Sequence, residues 1–146
     1  MKHHITKLRK LMKDAKIDAF MSSEPLIRRY LSGFTGSTGY AIVTHNDLEF
    51  CTDFRYFEQV LLECPDFKLI KLDKDYTAVE YLKDKSFERI AVEETFISLF
   101  TSDQICNAIP KIQLVYGLDL INSIRMIKSP DEEKLHRASC EITNKI

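Results

Sequence analysis

Apolar residues along this chain switch repeatedly between helical and strand-like spacing, and that alternation constrains the fold more than any other feature of the sequence. Ile5, Leu8, Leu11, Met12 and Ala15 recur on one helix face, and Ile17–Met21 follows as a short apolar run suited to a strand. Ser23 and Pro25 open a second helix, with Ser23 as the expected cap and proline in the first turn. That helix runs through Leu26, Ile27 and Tyr30 and must stop near Gly33. Tyr40–Val43 and Leu48–Thr52, separated by His45, Asn46 and Asp47, read as a hairpin. Phe54, Phe57, Val60 and Leu61 return to the helical period until Pro65, and Phe67–Leu72 alternates as a strand. Thr77 with Glu80 predicts a capping box, and Thr101 with Gln104 a second one, for a helix through Ile105 and Ile109. Arg89–Val92 and Ile112–Tyr116 supply two more short strands. Helices alternating with strands, interrupted by one hairpin, predict an α/β fold with a mixed sheet and helices on its faces.

Composition narrows the partners. The chain has 146 residues and a formal net charge of -1, with no long run of one sign, which argues against a nucleic-acid scaffold. The basic stretch 2–16 interleaves its charges with Ile5, Leu8, Leu11 and Met12 and reads as a solvated helix face. No apolar run approaches the roughly 20 residues of a membrane span, so no membrane partner is expected. Cys51, Cys64, Cys106 and Cys140 stand singly, without metal-knuckle spacing, as reduced thiols of a cytoplasmic protein would. His3 and His4 are adjacent, and neighbours on a helix point to different sides, so no metal site is assigned there.

Two segments carry candidate function. Three of the four glycines fall in Gly33-Phe34-Thr35-Gly36-Ser37-Thr38-Gly39, a loop that needs positive φ or close backbone approach. Its spacing is not that of a dinucleotide fingerprint, no P-loop lysine follows, and it leads into a strand, not a helix start. A loop presenting Phe34, Thr35 and Ser37 to a partner is the expected role. The second segment is Thr52-Asp53-Phe54-Arg55-Tyr56, at a strand-to-helix junction where Asp53 is placed to cap. Arg55 sits in the first turn, where the helix dipole disfavours a cation, which suggests a bidentate carboxylate partner. That partner is either Asp53, in a structural ion pair, or a ligand.

Near the end, Ser129-Pro130-Asp131-Glu132 is a strong helix start: serine caps, proline takes the first position and Glu132 completes the box. Leu135, Ala138, Ile142 and Ile146 then form an apolar stripe without a stop signal. The stripe either docks on this same domain or, as we expect, belongs to a domain that follows.

The glycine loop, the Asp53-Phe54-Arg55-Tyr56 turn and Ile127-Lys128-Ser129-Pro130-Asp131-Glu132 together resemble the creatinase/prolidase amino-terminal domain, found at the front of Xaa-Pro aminopeptidases and Xaa-Pro dipeptidases. The resemblance implies a six-stranded mixed sheet flanked by helices, of ribonuclease H-like architecture, over residues 1–126. It implies that residues 127–146 are a linker and the first helix of a C-terminal "pita-bread" catalytic domain. There, two divalent ions (manganese, cobalt or zinc) would be bound by two aspartates, a histidine and two glutamates, so neither a catalytic residue nor a metal ligand is expected in this chain. It further implies a homodimer in which this domain closes over the partner subunit's active site. Phe34, Thr35, Ser37 and Arg55 would then meet a proline-containing peptide, with Gly33, Gly36, Gly39, Asp53 and Tyr56 shaping the motif. Thr35 departs from the charged or larger residue common in relatives and leaves side-chain preference open. The alternative is a free-standing binding or scaffold module with the same fold and no peptidase activity.

Overall fold

The computed structural model describes residues 2–145. Its elements are α1 (Lys2–Asp14), β1 (Ala19–Ser22), α2 (Pro25–Ser32), β2 (Tyr40–Thr44), β3 (Leu48–Thr52), a 3₁₀ turn (Phe54–Tyr56), α3 (Phe57–Glu63), β4 (Lys68–Lys71), α4 (Ala78–Asp84), β5 (Arg89–Val92), α5 (Leu99–Ala108), β6 (Gln113–Tyr116), α6 (Leu118–Met126) and α7 (Pro130–Thr143). The six strands form one sheet in the order β4-β3-β2-β1-β5-β6. β1/β2 and β2/β3 pair antiparallel, whereas β3/β4, β1/β5 and β5/β6 are parallel, so the sheet is mixed as the alternating pattern requires.

β1 lies in the middle and is buried along its whole length. Its side chains alternate between the two faces, and the register carries that alternation into its neighbours. Phe20 pairs with Val43 and Ala91, and these residues join Ile5, Leu8 and Met12 of α1 and Ile121 and Ile124 of α6 in one core layer. Met21 pairs with Ile42 and Val92 on the opposite face, under Tyr81 and Leu82 of α4 and Ile105 of α5. A third cluster, Phe34, Ala41, Phe50, Val60, Cys64 and Phe67, lies beneath the glycine loop.

Several local expectations are corrected. Glu24, not Ser23, caps α2: its carboxylate accepts from the Ile27 amide at 2.6 Å. α5 begins a turn before Thr101, because Ser98 Oγ accepts from the Thr101 amide at 3.0 Å. Thr77 caps α4, but Glu80 pairs with Lys83 at 2.7 Å and does not close a box. The helix expected over 54–62 splits into a 3₁₀ turn and α3, leaving Phe54 and Leu61 exposed and Val60 buried. α6 was not anticipated. Glu94 starts it by accepting from the amides of Gly117 and Leu118, each at 3.1 Å, and Ile121 and Ile124 seat it against α1. The capping box of α7 is complete, with Ser129 and Glu132 each bonded to the other's backbone. None of the described side chains of α7 is buried, and Leu135 and Ile142 face outward. Ile146 lies outside the described residues.

Candidate functional site

The site begins where α2 stops. Gly33 caps the helix in the left-handed region (φ 85°) and its amide returns to Arg29 O at 2.7 Å. Ser32 Oγ donates to Arg28 O at 2.7 Å and accepts from the Phe34 amide at 3.2 Å, so the chain turns back over the sheet. Phe34 is 1% exposed. Its ring packs 4.5 Å from Phe50 and edge-on to Tyr56 at 5.7 Å. Presentation of Phe34 on the loop surface is therefore corrected: the residue anchors the loop from below. Gly36 lies against that anchor, where a Cβ would come within 2.4 Å of the Phe34 ring. Gly39 has φ 142° and passes so close to the sheet that a Cβ would meet Phe50 at 2.6 Å and Cys51 O at 3.0 Å.

Thr35 and Ser37 do face outward, and each has a protein partner. The Thr35 amide and hydroxyl donate to the two Glu63 oxygens, both at 2.8 Å, and Gln59 bridges the pair at 3.1 and 3.0 Å. The Thr35 amide, foremost, holds the Glu63 carboxyl below its usual pKa. Ser37 Oγ lies 2.6 Å from Tyr56 Oη, which ties the loop to the turn after β3.

Within that turn Asp53 caps the 3₁₀ helix by accepting from the Arg55 amide at 3.1 Å. The same carboxylate receives Arg55 Nε at 2.9 Å and Nη2 at 2.7 Å, a bidentate pair. The hydrogen bond from Arg55 is the main cause that lowers the Asp53 pKa, and Asp53 in turn raises that of Arg55. The guanidinium also lies 5.3 Å over the Tyr56 ring, and its side chain is 55% exposed. Arg55 thus has the structural partner that the sequence allowed, while its outer edge stays open beside a groove of about 620 Å³ lined by Gly39, Tyr40, Asp53, Arg55, Lys74 and Thr77.

The structure therefore joins the two sequence segments into one surface through Phe34–Tyr56 and Ser37–Tyr56 contacts. It adds residues that sequence reasoning missed. Glu63 and Gln59 gave no local signal, because their role depends on where α3 docks. Nor did Arg28, which as a charged residue is expected outside yet is buried on one face of α2 with Ile27, Leu31 and Ser32. Arg28 is 2% exposed and donates to Gly36 O at 2.6 Å, Gly39 O at 3.0 Å and Ser23 O at 3.4 Å. Burial lowers its pKa from the ordinary arginine value. Among the described residues, no three His, Cys, Asp or Glu side chains gather as a metal site, and no helix is long and apolar enough to cross a membrane.

The fold and much of the sequence recur in known proteins. The uncharacterized peptidase YqhT of Bacillus subtilis is 28% identical over 142 residues, which covers 96% of this chain and 40% of that protein. An X-Pro aminopeptidase from Thermotoga maritima superposes with a TM-score of 0.79 at 27% identity, covering 97% of this chain and 43% of that one. The N-terminal domain of the cytoplasmic peptidase PepQ from Mycobacterium tuberculosis shares the fold, with a TM-score of 0.70 at 23% identity over 84% of this chain and 98% of that domain. The chain spans about two-fifths of the length of YqhT and of the Thermotoga maritima enzyme. The profile of the creatinase/prolidase N-terminal domain matches residues 4–127, and the chain belongs to that family.

Proposed function

We propose that this chain is the non-catalytic amino-terminal domain of a proline-specific metallopeptidase, and that its loop-and-turn surface helps recognise a proline-containing peptide at the partner subunit's active site. Arg55 carries the reading. Asp53 occupies one edge of its guanidinium through Nε and Nη2, which fixes the plane of the fork, and the remaining donors face solvent beside the groove. A cation held rigid in this way suits a substrate carboxylate or backbone carbonyl, because little side-chain freedom is lost on binding. Thr35 and Ser37, exposed on the loop that Ser37 ties to Tyr56, would add polar contacts, and Phe34 supports them from beneath.

In this reading residues 1–126 form the domain, and 127–146 are the linker and opening helix of the catalytic domain. The exposed Leu135 and Ile142 of α7 support that division, since an apolar stripe without cover on this domain needs a surface elsewhere. The protein acts in the cytoplasm as a homodimer, and the free state of all four cysteines fits a reducing compartment. A divalent metal pair would activate the attacking water in the adjoining domain. Among the described residues of this chain, no three His, Cys, Asp or Glu side chains gather to hold such a pair.

The test compares the 146-residue chain with the full natural protein on an Xaa-Pro peptide supplied with manganese. Cleavage by the full protein and none by the chain supports the reading. Cleavage by the chain alone, or a full protein that binds partners and hydrolyses nothing, contradicts it.

A further inference from the structure

The glycine loop is held in an unusual way. Among the described residues, the segment from Phe34 to Gly39 makes no backbone–backbone hydrogen bond. Side chains bind it instead: Ser32 Oγ takes the Phe34 amide, Glu63 the Thr35 amide, Thr52 the Thr38 carbonyl at 3.1 Å, and Arg28 the carbonyls of Gly36 and Gly39. Arg28 thus clamps the loop on both sides of Ser37. Its third bond, to Ser23 O, fastens the same guanidinium to the segment between β1 and α2. The fork also lies 5.4 Å over the Phe34 ring.

This arrangement is costly. Arg28 is almost wholly buried, forms no ion pair with a carboxylate among the described residues, and leaves its Nε without a partner. A buried cation compensated by carbonyl dipoles, an aromatic face and the more distant Glu24 charge, without an ion pair, costs a fold more than an apolar side chain of similar length. Packing alone therefore does not account for arginine at this position. What the guanidinium supplies, and an apolar chain cannot, is a planar set of donors that fixes two loop carbonyls at once.

We propose that Arg28 is a positioning residue for substrate recognition: it never touches the peptide, but sets where Thr35 and Ser37 stand relative to Arg55. The proposal rests on the reading of the loop as a substrate contact, and the experiment separates the two. Arg28→Met keeps an unbranched stem and removes the clamp. Arg28→Lys keeps the charge but lacks the fork. In the 146-residue chain, hydrogen exchange at the Phe34 and Thr35 amides should accelerate about tenfold or more in Arg28→Met, with β1 and β5 unchanged. In the full natural protein, KM for an Xaa-Pro peptide should rise about tenfold with kcat within about twofold, the signature of a lost binding contact. Arg28→Lys should fall between Arg28→Met and the parent on both measures. It carries the test alone if Arg28→Met does not fold.

Loop exchange unchanged in both variants would overturn the proposal. So would equal acceleration in the loop and the central strands, which describes a merely structural residue, or a loosened loop with unchanged KM. Arg55→Ala serves as the control for the underlying reading. If it raises KM while the Arg28 variants do not, the positioning role alone fails. If neither does, the surface is not a substrate contact at all.

Discussion

Replacing Glu93 with glutamine should make this protein more stable at pH 8 and leave it nearly unchanged at pH 4. Glu93 follows β5 directly and is 2% exposed; its Oε1 and the neighbouring Ser22 Oγ both lack hydrogen-bond partners. Burial, foremost, pushes its carboxyl pKa up from 4.5 to about 7, and the Glu24 charge adds to the rise. The unfolded chain releases this proton near the ordinary value, whereas the folded chain keeps it until about pH 7. The folded state therefore binds the proton more tightly within that window, and stability falls as pH rises through it. Each tenfold change in proton affinity is worth about 1.4 kcal/mol, so the loss amounts to about 3 kcal/mol above pH 7. Glutamine occupies the same volume and never ionises. Urea unfolding of parent and Glu93→Gln, followed by circular dichroism at pH 4, 5.5 and 8, checks this. With a slope of about 2 kcal/mol/M, the variant's midpoint should exceed the parent's by about 1.5 M at pH 8 and approach it at pH 4. Asp53, Glu63 and Glu132 have lowered pKa values and contribute the opposite slope at lower pH, but they are common to both proteins and cancel in the difference. A midpoint difference independent of pH, or a variant less stable at pH 8, would show that Glu93 does not titrate with a raised pKa in the fold.

Gly39→Ala should destabilise the chain by about 1–3 kcal/mol, since its φ of 142° and a Cβ 2.6 Å from Phe50 force strain or movement of the ring; a urea midpoint within error of the parent would speak against the described loop. Hydrogen exchange over 133–145 should be faster than in β1 and β5, because α7 buries no described side chain; equal protection in the isolated chain would place its apolar stripe against this domain. Ser129→Ala should accelerate exchange further in the first turn of α7 and leave the sheet unaffected, since it removes one half of the capping box, worth about 1 kcal/mol.

The sheet was legible because its signals are local. The apolar run of β1, the hairpin of β2 and β3 and the short strands β4 to β6 each announce themselves through period and composition, and the mixed pairing follows from one hairpin among alternating helices. The errors cluster where the deciding partner is distant or belongs to another segment. α6 starts on the Glu94 carboxylate, 23 residues before Gly117, which no window over its own sequence reveals. Helix caps were misplaced at α2 and α5, where Glu24 and Ser98 compete with nearby Ser23 and Thr101 for the same role. In the candidate site, the glycine loop and the Asp53–Tyr56 turn stood out by residue type. Their union through Tyr56, the burial of Phe34 and the clamp by Arg28 depend on tertiary packing. Charged residues are expected outside, so a buried Arg28 contradicts the usual preference and escapes a reading based on it.

If Arg55 meets substrate, the kinetics of Arg55→Ala in the full natural protein will show it. Loss of one charge-assisted hydrogen bond lowers kcat/KM for an Xaa-Pro peptide by about ten- to a hundredfold. That fall should come with an unchanged melting temperature and only partial rescue by Arg55→Lys, which lacks the planar fork. Unchanged kinetics with a lowered melting temperature, mimicked by Asp53→Ala, would leave Arg55 as no more than the structural partner of Asp53.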